Sequence, residues 1–163
     1  MAVELNHTIV PAHDPQASAQ FLADILGLPV DPPVAHFTPV TLANGVSLDF
    51  DHYDHVDEHH YAFQLGDEEF QAAFGRIRDR GITYYADPAC RQPGQVYASK
   101  NGRRGTYVRD PDGHLMEILT PVKGETGDPH FHRCHREHGG APQTPRPCPH
   151  PGRRGRARRH EAG

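Results

Sequence analysis

The stretch Gly105-Thr106-Tyr107-Val108-Arg109-Asp110-Pro111-Asp112-Gly113-His114-Leu115-Met116-Glu117-Ile118-Leu119-Thr120 decides the fold. It reads as two short strands joined by a tight turn. Tyr107 and Val108 are β formers. In the turn, Pro111 fixes φ, an Asp caps its own backbone, and Gly113 takes the φ > 0 position. The return strand carries Glu117 inside an apolar run. Alternation puts Glu117 on one face with Leu115 and Leu119, and turns Met116 and Ile118 to the other. A carboxylate on an apolar strand face is costly unless it is paired, hydrogen-bonded or bound to metal.

Working outward, the pattern occurs twice. His7, Asp14 and Phe21 recur as His60, Asp67 and Phe74 at an offset of 53, and Asn44-Gly45…Asp49 recurs as Asp112-Gly113…Glu117 at an offset of 68. Each half is then a strand, a helix and further strands. Neither half can bury its sheet alone, so pairing of two copies in an α+β arrangement is the expected outcome. In module one, about residues 4–51, Leu5 to Val10 reads as a strand. Asp14-Pro15 marks a helix N-cap and first position, and Gly27 its C-terminal glycine. His36 to Leu42 and Val46 to Phe50 form a hairpin across Asn44-Gly45. In module two, about 59–120, His59 to Leu65 is a strand and Asp67 an N-cap. Phe70, Phe74 and Ile77 form a helical stripe, Gly81 ends the helix, and Ile82 to Ala86 is a strand. Residues 87–104 read as a long loop, of the kind that is functional or mobile.

Composition sets the outer limits. The chain has 163 residues and net charge −4, with 8 Lys+Arg against 17 Asp+Glu up to Thr120 and 9 against 4 beyond it. The acidic body argues against a nucleic-acid partner. No apolar run is long enough to span a membrane. The first residues lack a basic start and an apolar signal core, and the three cysteines are odd in number with no Cys-x-x-Cys pair. These features point to the cytoplasm. Residues 122–163 are dominated by Pro, Gly and Arg and read as a disordered extension of a domain spanning 1–121. His130, His132, Cys134, His135 and His138 within it are a weak candidate for metal binding.

If the two halves curl into a cupped sheet, His7, His60 and Glu117 can converge on its concave face. Two imidazoles and one carboxylate with open positions suit non-heme Fe(II), and Zn(II), Mn(II) or Ni(II) also fit. Each residue also has an ordinary explanation: His7 a satisfied core histidine, His60 a half-exposed strand end, and Glu117 a pair with Arg109. The weight of the metal reading comes from their matching places in the repeat.

The segments Leu5-Asn6-His7, Phe21…Leu26-Gly27-Leu28, His60-Tyr61-Ala62-Phe63 and Asp110-Pro111-Asp112-Gly113-His114-Leu115-Met116-Glu117 resemble the vicinal oxygen chelate superfamily. It comprises glyoxalase I, fosfomycin-resistance proteins, bleomycin-resistance proteins and extradiol dioxygenases. Leu48-Asp49-Phe50, Ala86-Asp87-Pro88 and the run before the Asp110-Pro111 turn are similar to its ChaP-like branch, whose namesake oxidatively rearranges an aromatic polyketide. The resemblance spans about residues 4–121. It implies paired βαβββ modules forming a cupped mixed sheet, with His7, His60 and Glu117 as ligands of a divalent metal, Fe(II) first. It also implies a small vicinal-oxygen substrate and a homodimer. The resemblance to glyoxalase I makes Asp49 a candidate fourth ligand or general base, against a solvated strand-end acid. From the strand faces alone, Tyr107 is a hydrogen-bond donor in the cup or ordinary β packing, Gln64 a substrate-orienting group, and Arg109 an anion partner or a structural pair. A dioxygenase or oxidative-rearrangement enzyme leads. A fosfomycin-type thiol transferase, a glyoxalase I-like lyase and a non-catalytic drug-binding protein of the bleomycin-resistance type are the alternatives. His52, His55 and Cys90 carry no specific role.

Overall fold

A computed structural model describes residues 3–122; the expectations for the tail lie outside the described residues. Module one contains β1 (His7–Ala12), α1 (Pro15–Leu26), β2 (Thr38–Thr41) and β3 (Ser47–His52). Module two contains β4 (His60–Gln64), α2 (Asp67–Asp79), β5 (Tyr84–Tyr85), β6 (Tyr97–Ala98), β7 (Arg104–Arg109) and β8 (Leu115–Leu119). The first sheet has strand order β1-β3-β2. The second has order β4-β8-β7-β5, with β6 also on β7. Among the described residues no helix is long and apolar enough to cross a membrane.

The duplication is written into the register. In module one β1 runs parallel to β3 with His7 opposite Ser47 and Ile9 opposite Asp49. In module two β4 runs parallel to β8 with His60 opposite Leu115 and Ala62 opposite Glu117. Offsets of 53 and 68 map one set onto the other. The antiparallel partners obey the same rule, since Pro39 faces Asp49 and Tyr107 faces Glu117. Side-chain alternation sends Val10, Val40, Leu48 and Phe50, and likewise Phe63, Val108, Met116 and Ile118, into one apolar core beneath the helices. The opposite faces carry His7 and Asp49 on one sheet and His60 and Glu117 on the other.

Local chemistry explains the elements. The Asp14 side chain accepts from the Ala17 amide, Pro15 opens α1, and Gly27 closes it at φ 73°. That glycine has a second function. A Cβ there would stand 2.5 Å from the Arg76 guanidinium. Arg76 uses the room to donate to the Ile25 carbonyl (3.2 Å), placing a cation at the negative end of α1. Arg80 reaches Asp24 at 2.5 Å, so α2 is pinned along α1.

Three details differ from the sequence expectation. The N-cap of α2 is Gly66, not Asp67, and makes no side-chain cap bond. Asp67 instead binds Arg104 (2.6 Å), an ion pair that draws its carboxylate away from the helix amides. Module one has three strands, with only a bridge between Val34 and Phe37 where a further one would start. Pro29, Pro32 and Pro33 remove ladder donors there. Residues 87–104 are structured: Asp87 accepts from the amides of Ala89, Arg91 and Gln92, and β6 pairs with β7.

The Asp110–His114 turn joins the modules. Asp110 accepts from the amides of Asp112 and His114. Asp112 accepts from Ser18 Oγ (2.6 Å), the His13 amide (2.9 Å) and His13 Nδ1 (2.6 Å) in module one. His114 is fully buried. It accepts from the His59 amide at Nδ1 and donates from Nε2 to the Pro11 carbonyl at 2.8 Å.

Candidate metal centre

The site begins with β8, the central strand that β4 and β7 flank. Because both neighbours are in place, Glu117 stands on the open face of a paired sheet and is only 7% exposed. Its Oε2 is 3.1 Å from His60 Nε2, and its Oε1 accepts from the Tyr97 hydroxyl at 2.6 Å. His60 remains half open to solvent, as do Ala62 and Gln64 along the same face. Tyr107 stands across from Glu117, its ring 5.8 Å from that of His60 and 5.7 Å from that of Tyr97. Burial, then the Glu117 charge, pushes the Tyr107 phenol up to about 12. Burial and the bond to Glu117 push the Tyr97 phenol up as well. Both hydroxyls therefore hold their protons at neutral pH and act as donors.

His60 and Glu117 are in hydrogen-bond contact, and the same spacing is compatible with two ligands of one ion. Two ligand atoms each about 2.1 Å from one ion and at right angles stand about 3 Å apart, and the His60–Glu117 separation is 3.1 Å. Arg109, the alternative partner for Glu117, pairs with Glu58 at 2.8 Å and donates to the Gly113 carbonyl. The buried carboxylate thus meets an imidazole and a phenol, an incomplete neutralisation that a cation would finish.

His7 stands at the exposed start of β1 on the other sheet. Its Nδ1 donates to Asn6 Oδ1 (2.9 Å), which leaves Nε2 with the lone pair a metal needs. Asp49 lies on the same face and accepts from Ser47 Oγ. Among the described residues of one chain, no three His, Cys, Asp or Glu side chains are grouped closely enough to share an ion. The structure therefore brings His60, Glu117 and Tyr107 together, with Gln64 farther along the face. It keeps His7 and Asp49 on the partner module's sheet, and Arg109 at the rim. A cavity of about 300 Å³ lined by Ile9, Pro11, Tyr53, His55, Asp57 and His59 includes neither His60 nor Glu117.

Sequence reading missed Tyr97. The available signal was Asn101-Gly102, a hairpin turn between Tyr97-Ala98 and Arg104-Gly105; Gly102 has φ 85° and the Ser99 amide donates to the Arg103 carbonyl.

The comparisons with known proteins agree with the fold. The family profile described as Glyoxalase/Bleomycin resistance protein/Dioxygenase superfamily matches residues 4–118. The solved structure titled Oxidase ChaP-H1 is 54% identical with a TM-score of 0.71, over 76% of this chain and 99% of that one. Oxidase ChaP-H2 is 52% identical with a TM-score of 0.71, over 74% and 95%. A protein named Glutathione transferase FosA from Serratia marcescens is 28% identical over 127 residues, 72% of this chain and 81% of that protein. Register, open-faced carboxylate and these likenesses lead to one assignment: the chain belongs to the Glyoxalase/Bleomycin resistance protein/Dioxygenase superfamily, the vicinal oxygen chelate proteins, and within it to the ChaP-like branch.

Proposed function

We propose that this protein is a metal-dependent oxidative enzyme acting on a small, aromatic, polyketide-like molecule with vicinal oxygens. The observation that carries the reading is the 3.1 Å approach of His60 Nε2 to a buried Glu117 carboxylate on an open sheet face. His60 and Glu117 would hold a divalent ion, Fe(II) in first place, and His7 from a second copy of the chain would complete the set. The sequence likeness to proteins named oxidases supports the oxidative direction.

A bound divalent ion supplies Lewis acidity toward an enolate- or catecholate-like anion and, as Fe(II), redox capacity toward dioxygen. The chain supplies the rest. Tyr107 donates a hydrogen bond to a substrate oxygen, and its raised pKa keeps that proton in place. Gln64, exposed two residues beyond Ala62, orients the substrate's far end. Asp49, brought in with His7 by the second copy, is the candidate base. Arg109 at the rim favours an anionic substrate, at the cost of its pair with Glu58.

The test is anaerobic Fe(II) loading followed by oxygen uptake with hydroquinones and catechols. Uptake that needs both iron and substrate, and that is lost in Glu117→Gln, is the expected result. The likeness to a glutathione transferase favours one rival, a fosfomycin-type thiol transfer. Conjugate formation with glutathione under anaerobic conditions, with no oxygen uptake on any aromatic substrate, would replace the oxidative reading.

A further inference from the structure

Glu117 has two oxygens, and the metal reading uses one. The other is engaged by Tyr97, whose hydroxyl donates to Oε1 at 2.6 Å while Oε2 faces His60. Tyr97 reaches that position from β6, the short strand on β7. Its Cα partner across the ladder is Gly105. A Cβ at Gly105 would overlap the hydroxyl, Cζ and Cε1 of the Tyr97 ring. Gly105 has no positive φ to explain its identity; the space over its Cα is filled by the tyrosine. The Tyr107 ring, 5.7 Å away, bounds the other side. The segment behind Tyr97 is also fixed: Thr106 Oγ donates to the Tyr85 carbonyl, and the Ala86 amide to the Gln92 carbonyl.

We propose that Tyr97, seated on Gly105, is a positioning residue that locks Glu117 as a one-oxygen metal ligand. A carboxylate with both oxygens free can swing to grip an ion with the pair, filling a position that substrate or oxygen requires. A phenol O–H bound to Oε1 opposes that swing and fixes the direction of Oε2. Outer partners of this kind change metal affinity by about 10–100-fold when removed. The inference rests on the assignment of His60 and Glu117 as ligands.

The experiment is Co(II) titration of the full-length chain, reading the dissociation constant and the visible d–d spectrum. The variants are Tyr97→Phe, Gly105→Ala, their combination, and Glu117→Gln. Glu117→Gln measures binding outside the site, including any by the histidines of residues 130–138. Tyr97→Phe keeps the ring and is expected to alter the spectrum and to change the site dissociation constant about tenfold or more, upward where Glu117 loses its orientation and downward where its second oxygen joins the ion. Gly105→Ala is expected to reproduce both changes by displacing the ring. The double variant is expected to change binding no further than the more affected single variant, the signature of one shared interaction. A purely structural role for Tyr97 would shift the melting temperature and leave the spectrum of the bound ion as in the wild type. Unchanged or tighter binding with the wild-type spectrum in Tyr97→Phe overturns the proposal while the ligand assignment stands. Glu117→Gln that binds Co(II) with the stoichiometry, affinity and spectrum of the wild type overturns the ligand assignment and this proposal with it.

Discussion

Asp112 and His114 each bind across from module two to module one. His114 is buried with both ring nitrogens bonded, one to each module's backbone. His114→Ala removes a donor and an acceptor and strands the Pro11 carbonyl and the His59 amide. Unsatisfied buried groups and the cavity together predict a loss of roughly 2–4 kcal/mol, measured by urea unfolding. Asp112 behaves differently because it is ionised. Burial works against its charge, but the bonds from Ser18 and His13 outweigh that and hold its carboxyl below the usual range. A depressed carboxylate stabilises the fold above its unfolded pKa of about 3.9 and loses that contribution as pH falls through the folded value. Asp112→Asn is therefore expected to melt below wild type at pH 7, with the gap closing in melts taken below about pH 4. The exposure of His13 limits the size of the effect.

At the scale of elements, what could be read in advance followed local chemistry. The Asp14-Pro15 start and Gly27 stop of α1, the alternation of β8 and the turn at Gly113 all depend on residues within a few positions of one another. The approach of His60 to Glu117, 57 positions apart, is the exception: it was legible through the repeat, whereas His7, expected beside them, stands on the other sheet. The features that escaped are long-range. Asp67 has the right identity for an N-cap but is taken by Arg104, 37 positions away in sequence. Tyr97 lies in a two-residue strand too short for any periodicity, and its role appears only when β7 is beside it. Gly27 offers a test at this scale. Alanine there must take φ 73° and displace the Arg76 guanidinium from the end of α1. A loss of about 1–2 kcal/mol from the backbone alone is expected, plus the Arg76 contribution. Arg76→Ala should remove that second part, so the double variant should cost less than the sum of the singles by denaturant unfolding.

For the whole molecule, the separation of His7 from Glu117 onto different sheets makes a prediction about mixtures. If a second copy completes each site, His7→Ala and Glu117→Gln chains should rescue one another. A mixed dimer would hold one intact site, with His7 from the Glu117→Gln chain and His60 and Glu117 from the other. Mixing and re-forming the dimers should restore up to about half of the metal bound per site in a statistical population's mixed fraction, while either variant alone binds none there. No recovery, with mixed dimers confirmed by mass spectrometry, would place His7 in a site of its own chain or outside any site.

The two halves share a register but not a length, and the surplus residues of the second half fall where β6 and Tyr97 are found. The doubled scaffold keeps its strands in step because any slip would turn the core outward. The surplus residues pair along one side of β7, and that side overlooks the carboxylate. Exchanging residues 87–103 between members of this branch would then retune the acid's surroundings without disturbing either set of buried side chains. Divergence among such enzymes should be concentrated in that one unequal segment.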